Sequence, residues 1–165
     1  MEQFSIPGVG GIIVQLINDV ECVLLQERWK ADAPDENGLL EIPAGKIRAF
    51  ENIFDALRRE ISEETGLEVV EIVGENMTTI YDMGKYKVIN YTPFSNSQNI
   101  SGDYPIMVFV FICYVKGNLL KSSDEAKNYR WIPTNEVAKM LEDNPKKFYP
   151  MHIDTLKKYI LTYQN

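Results

Sequence analysis

Three glutamates, Glu60, Glu63 and Glu64, fall within the short stretch RREISEET. Carboxylates grouped in this way, at the edge of a core, either take up protons or hold a cation. On a helix advancing about 100° per residue, with Glu60 as zero, Glu63 lies at about −60° and Glu64 at about +40°, so the three share one narrow arc. Ile53, Leu57 and Ile61 fall at about 20°, 60° and 100° on the same wheel, and the acids therefore overlap the apolar stripe and are expected to border the core. Ala56, at about −40°, is the small residue beneath the arc and leaves room above it. Oxygen-only ligands with no neighbouring His or Cys select a hard ion, Mg2+ or Mn2+. Taken alone, three glutamates more often make a solvated acidic face. Their surroundings decide.

Those surroundings run Gly45, five residues, Glu51, seven residues, then Arg59-Glu60-Ile61-Ser62-Glu63-Glu64-Thr65-Gly66-Leu67. From average residue usage such a pattern arises by chance in a chain of this length less than about once in a million. It resembles the complete signature of the Nudix hydrolase family. The resemblance implies an α/β (α+β) fold, an α/β/α sandwich with a mixed sheet and a loop-helix-loop metal site. It implies that Glu60, Glu63 and Glu64 bind Mg2+ or Mn2+ together with a backbone carbonyl near Ala44 or Gly45. Arg59 and Glu51 would form the supporting ion pair that orients the acids. The reaction would be hydrolysis of a diphosphate linked to another moiety, one carboxylate accepting a proton from the attacking water. In some members that base is a signature glutamate, which points to Glu63 or Glu64; in others it sits on a late loop, where Glu125 is the candidate and Asp124 its neighbour.

The stretch Leu40-Glu41-Ile42-Pro43-Ala44-Gly45-Lys46 is similar to the lead-in of Nudix enzymes that act on ADP-ribose and related nucleotide sugars. Arg28, just before the next loop, is the expected diphosphate contact. Trp29, Tyr91 and Phe94 are the expected surfaces for a base or ribose, with Tyr104 as a further aromatic, while Tyr81, in a strand, is expected to pack. Two features depart from that branch: Arg48-Ala49-Phe50 replaces a Gly-rich or acidic turn, and Met83 stands near the place of its downstream proline. A house-cleaning nucleoside triphosphate pyrophosphohydrolase and a non-catalytic ligand-sensing Nudix domain are the alternatives; sensing modules commonly lose the box glutamates, all of which are present here. An RNA-processing member would carry a basic surface, and an isoprenoid diphosphate isomerase a dedicated catalytic cysteine.

The elements that must position these residues can be read around them. With 165 residues and 45% apolar content, the chain is long enough for one substantial core, and a single domain over 1–165 is expected. Gly8 to Ile17 and Glu21 to Glu27 are β-rich and joined by Asn18-Asp19, a hairpin signal. Trp29 to Gly38 is a loop, Asn52 to Thr65 the best helix with Gly66 as a left-handed cap, and Asn90 to Tyr104 a long polar loop. Leu67 to Val73, Thr78 to Tyr81, Ile106 to Val115 and Tyr129 to Ile132 read as strands, and Asn135 to Glu142 and Met151 to Thr162 as helices. The last helix can pack on the sheet or on a second subunit, and Nudix proteins are often dimers.

A net charge of −7 argues against nucleic acid as a partner and leaves a small-molecule nucleoside diphosphate derivative, approached through a bound cation. Cys22 and Cys113 lie in apolar runs and read as buried thiols, and no zinc spacing or disulfide framework occurs. No leader pattern and no long apolar run is seen, so a cytoplasmic protein without a membrane partner is expected. His152, the sole histidine, reads as a helix-start or surface residue rather than a ligand.

Overall fold

A computed structural model describes residues 1–163; the last two positions of the expected 1–165 domain lie outside the described residues. Strand β1 (Ile6–Ile17) turns through Asn18 and Asp19 into β2 (Val20–Arg28). Both turn residues have positive φ, 50° and 63°, the two-residue geometry that matches the right-handed twist of a hairpin and that Asn and Asp tolerate best. The two strands pair antiparallel from Val14↔Val23 to Ile17↔Val20.

Three short segments follow: β3 (Leu40–Glu41) on the edge of β2, β4 (Ala44–Lys46) on β1, and helix α1 (Ile53–Thr65). Then come β5 (Glu68–Ile72), the hairpin β6 (Thr79–Asp82) and β7 (Lys87–Asn90), β8 (Ser95–Gln98), β9 (Ile106–Lys116) and β10 (Ala126–Pro133). Helices α2 (Thr134–Asp143) and α3 (Pro150–Tyr163) complete the described chain. The main sheet runs β10-β2-β1-β9-β5, and it is mixed: β1 and β9 are parallel, while the pairs of β1 with β2, β2 with β10 and β5 with β9 are antiparallel.

Side chains alternate across a strand, so the nearly unbroken apolar runs in β1, β2 and β9 supply two cores at once. Val9, Ile13, Leu24, Phe111 and Cys113 meet Phe54, Leu57 and Ile61 of α1 on one face. Ile12, Val14, Val23, Leu25, Val110 and Ile112 meet Val137, Leu141 and Leu156 of α2 and α3 on the other. Each fully buried side chain of this size contributes about 1.5–3 kcal/mol. The expected sandwich, with helices on both faces of a mixed sheet, is the observed one. Both cysteines are buried and unpaired, and α3 packs on α2 and β8.

Two segments differ from expectation. The polar stretch Asn90 to Tyr104 contains a strand: β8 pairs antiparallel with β9 from Ser95↔Val110 to Gln98↔Met107. Its serines are satisfied by α3, Ser97 Oγ donating to Met151 O at 3.0 Å and Thr155 Oγ1 to Ser95 Oγ at 2.5 Å, so a strand forms without the alternating apolar residues that announce one. His152 is 1% exposed in the first turn of α3 and not at the surface.

Candidate active site

Helix α1 carries the acids and is closed at both ends by its own sequence. Asn52 caps the start, its side-chain oxygen accepting from the Phe54 N–H at 2.9 Å; Gly66, at φ 77°, ends it, its N–H donating to Ser62 O. The buried face comprises Ile53, Phe54, Ala56, Leu57, Ile61, Glu64 and Thr65. Glu64 is thus inside the core boundary, Glu60 lies at its edge with a side chain 13% exposed, and Glu63 is 56% exposed. Their burial grades around the arc from Glu64 outward.

Arg59 holds the outer two. Its Nη1 donates to Glu60 Oε1 at 2.5 Å and Glu63 Oε2 at 3.4 Å, its Nε and Nη2 to Glu51 Oε1 and Oε2 at 2.8 and 2.9 Å, and its Nη2 also to Lys46 O at 3.0 Å. Glu51 additionally accepts the Arg48 N–H, and these donors, the Arg59 fork above all, hold its carboxyl down at about 2. Glu60 sits directly against Gly45: a Cβ there would come 2.0 Å from its carboxyl carbon. Only glycine lets β4 and α1 approach this closely.

Glu64 has a separate environment. Its Oε2 accepts from Gln26 Nε2 at 2.8 Å and the Ala44 N–H at 3.3 Å, and Tyr129 OH donates to its backbone oxygen. Burial pushes its carboxyl well above the usual range, and the charges of Glu41 and Glu125 add to that, against the Gln26 donor and Lys30. Gln26 Nε2 also donates to Glu41 Oε1 at 3.2 Å. Glu41 accepts from Arg28 Nη1 at 3.0 Å; burial raises it and Arg28 offsets the rise. Behind Glu41, His152 Nδ1 accepts the Ile42 N–H at 3.2 Å, which fixes the turn from β3 into β4. Its imidazole is driven down to about 3, first by burial and then by Arg28, and is neutral.

The remaining expected residues divide clearly. Glu125 is at the Glu64 end, half-exposed and paired with Lys30 Nζ at 2.9 Å, and its backbone oxygen accepts the Trp29 N–H at 2.9 Å. Trp29 is half-exposed at the same rim, with Lys127 Nζ 3.2 Å from its ring centroid. Arg28 is turned inward: its Nε meets Glu36 Oε2 at 2.6 Å, its Nη1 meets Glu41, and its guanidinium covers the Tyr149 ring at 4.1 Å. Tyr91 packs edge-on against Phe54 and Phe109 on the α1 face, and Phe94 packs against Tyr159 and Tyr163 on the opposite face. Gln26, Glu41 and His152, none of them an expected site residue, complete the surroundings of Glu64. The available signal was Glu41, a lone acid inside the apolar run LLEI; Gln26, followed by Glu27 and Arg28, carried none.

Among the described residues no three His, Cys, Asp or Glu side chains converge as they stand on a common point: Arg59 lies between Glu60 and Glu63, and Gln26 between Glu64 and Glu41. The donor set nonetheless suits a divalent cation. It is all oxygen, it includes a buried carboxylate with no cationic side chain against it, and the carbonyl oxygen of Gln26 is buried beside it without a partner.

The NUDIX domain matches over residues 7–152, and the chain belongs to that family. A curated Caenorhabditis elegans protein whose name places it among the nudix hydrolases is 30% identical over 121 residues, 71% of this chain and 42% of that one; the chain thus spans under half the length of that relative. The MutT protein of Methanosarcina mazei superposes with a TM-score of 0.64 at 17% identity, over 100% of this chain and 99% of that one. The NUDIX domain of Shewanella oneidensis NrtR, crystallised with ADP ribose, gives 0.62 at 15% identity, over 98% and 90%. At these identities the structures share the fold.

Proposed function

We propose that the chain is a Mg2+- or Mn2+-dependent hydrolase of a nucleoside diphosphate linked to another moiety, with ADP-ribose or a related nucleotide sugar as the favoured substrate class. The observation that carries this reading is the state of Glu64: a carboxylate inside the core boundary, oriented by Gln26 and the Ala44 N–H, with Glu60 and Glu63 on the same helix face. A carboxylate so buried either takes up a proton or is met by a cation, and two further carboxylates on the same helix face favour the cation.

In this reading Glu60, Glu63 and Glu64 would hold the cation, joined by the backbone carbonyl of Ala44. A cation bound there would neutralise the diphosphate charge and lower the pKa of the attacking water. Gly45 keeps the β4 backbone against Glu60. Arg59, itself held by Glu51, keeps Glu60 at the core edge and draws the more exposed Glu63 toward it. Glu125 stands at the rim beside Glu64, half-exposed, and accepts the proton of the water; Lys30 holds its carboxylate in place until then. Trp29 offers the exposed aromatic face for a base. Tyr91 and Phe94, packed into the two cores, are left with the role of shaping the sheet that carries the site.

The substrate preference rests on the Leu40 to Lys46 lead-in and on the fold shared with the ADP-ribose-bound NrtR domain. A panel of ADP-ribose, nucleotide sugars and nucleoside triphosphates with Mg2+, followed by release of nucleoside monophosphate or pyrophosphate, tests it. Preferential pyrophosphate release from triphosphates would replace the favoured class, and binding without turnover would make the chain a sensor. Full Mg2+-dependent activity in folded Glu63→Gln and Glu64→Gln variants would sink the central reading.

A further inference from the structure

Gln26 is wholly buried in β2, and its amide stands between two carboxylates. Both amide hydrogens go to acids, one to Glu64 Oε2 and one to Glu41 Oε1, so the orientation of the group is fixed: the reverse orientation would set a carbonyl oxygen against two carboxylates. The cost of this arrangement is visible. Gln26 Oε1 is buried and has no hydrogen-bond partner, a state that folded proteins rarely retain without cause.

What the arrangement achieves is geometric. Both donors to the Glu64 carboxylate, Gln26 and the Ala44 N–H, converge on Oε2, and among the described residues none donates to Oε1. Gln26 is itself held by Glu41, and Glu41 by Arg28, whose guanidinium is fixed by Glu36 and by the ring of Tyr149. A chain of contacts from Arg28 through Glu41 and Gln26 thus ends on one oxygen of Glu64 and leaves the other without a donor.

We propose that Gln26 is a positioning residue of the metal site: it pins Glu64 through Oε2 so that Oε1 is presented to a divalent cation, and the Arg28–Glu41 pair exists to hold Gln26 in that pose. The inference rests on the metal-dependent reading above. Partners that orient a metal ligand in this way are worth about 10–100-fold in metal affinity.

The test is direct Mn2+ binding, by calorimetry or by the electron spin resonance of free Mn2+, together with the melting temperature with and without Mn2+. The variants are Gln26→Met, of similar length and without donors, and Gln26→Asn, whose shorter amide cannot reach both acids. Each is expected to bind Mn2+ about 10–100-fold more weakly than the wild-type chain and to show a smaller Mn2+-induced rise in melting temperature. A folded variant with a lower melting temperature but undiminished Mn2+ affinity would reduce Gln26 to a packing role and overturn the proposal alone. Failure of both variants to melt cooperatively would also assign Gln26 to the fold. Absence of Mn2+ binding by the wild-type chain would overturn the metal-dependent reading and this one with it.

Discussion

The guanidinium of Arg59 meets the carboxylate of Glu51 along two parallel contacts, Nε to Oε1 at 2.8 Å and Nη2 to Oε2 at 2.9 Å. This fork leaves Nη1 to reach Glu60 and Glu63, so one side chain connects the loop before α1 with two of its three acids. Lysine offers a single ammonium and cannot reproduce the fork. Arg59→Lys is expected to lower Mn2+ affinity about 10–100-fold without unfolding the protein, as measured by calorimetric titration. Because Glu51 is held at about 2, its contribution to stability is complete above the unfolded carboxyl value of about 4.3 and is lost as pH falls through about 2. Metal affinity measured between pH 6 and 8 should therefore carry no step from this pair.

His152 gives the inner end of the site a pH response. Its folded value of about 3 lies below the unfolded value of about 6.5, so only the unfolded chain takes up the proton between them. Stability is complete above about pH 6.5 and falls as the solution is acidified, by about 2 kcal/mol at pH 5. His152→Gln, which can still accept the Ile42 N–H, should lack this component. Urea unfolding of both proteins at pH 7.5 and pH 5 measures the difference, and an equal loss in both would refute it.

Gly45→Ala places a methyl group 2.0 Å from the Glu60 carboxyl carbon. Glu60 must move, or β4 must part from α1, at a cost of about 1–3 kcal/mol. Hydrolysis is expected to fall at least about 10-fold, and a thermal melt with a parallel activity assay shows whether position or stability accounts for it.

Phe50 adopts φ 62° while fully exposed. A bulky side chain in the left-handed region costs about 1–2 kcal/mol, and no packing offsets it here. Phe50→Asn should stabilise the fold by about 1 kcal/mol in denaturant unfolding. A loss of substrate affinity in the same variant would show that the ring is kept for binding.

The loop, helix and cap from Gly45 to Gly66 were legible because every feature there is local: a capping Asn, a 3.6-residue apolar stripe, a terminal Gly. The hairpin at Asn18-Asp19 was legible for the same reason. The inner half of the site was not. Gln26, Glu41 and His152 lie on β2, β3 and α3 and meet only because the sheet brings β3 onto β2 and α3 across them; no spacing in the chain encodes that meeting. Arg28 showed the same limit: its position before a loop suggested an outward, ligand-facing side chain, whereas two acids and an aromatic ring draw it inward. Strand β8 was hidden by its polar residues, whose partners lie on α3.

In the parallel pairing of β1 with β9, Ile6 meets Ile106 and Ile13 meets Cys113, each partner a hundred positions further along the chain. β4, which presents Gly45 to Glu60, rests on that same β1. Helix α1 can coil early from its own local signals, but the surface that receives it awaits closure of a very long loop. High contact order of this kind slows folding. Metal competence should accordingly appear late in refolding, after the helical signal has already recovered.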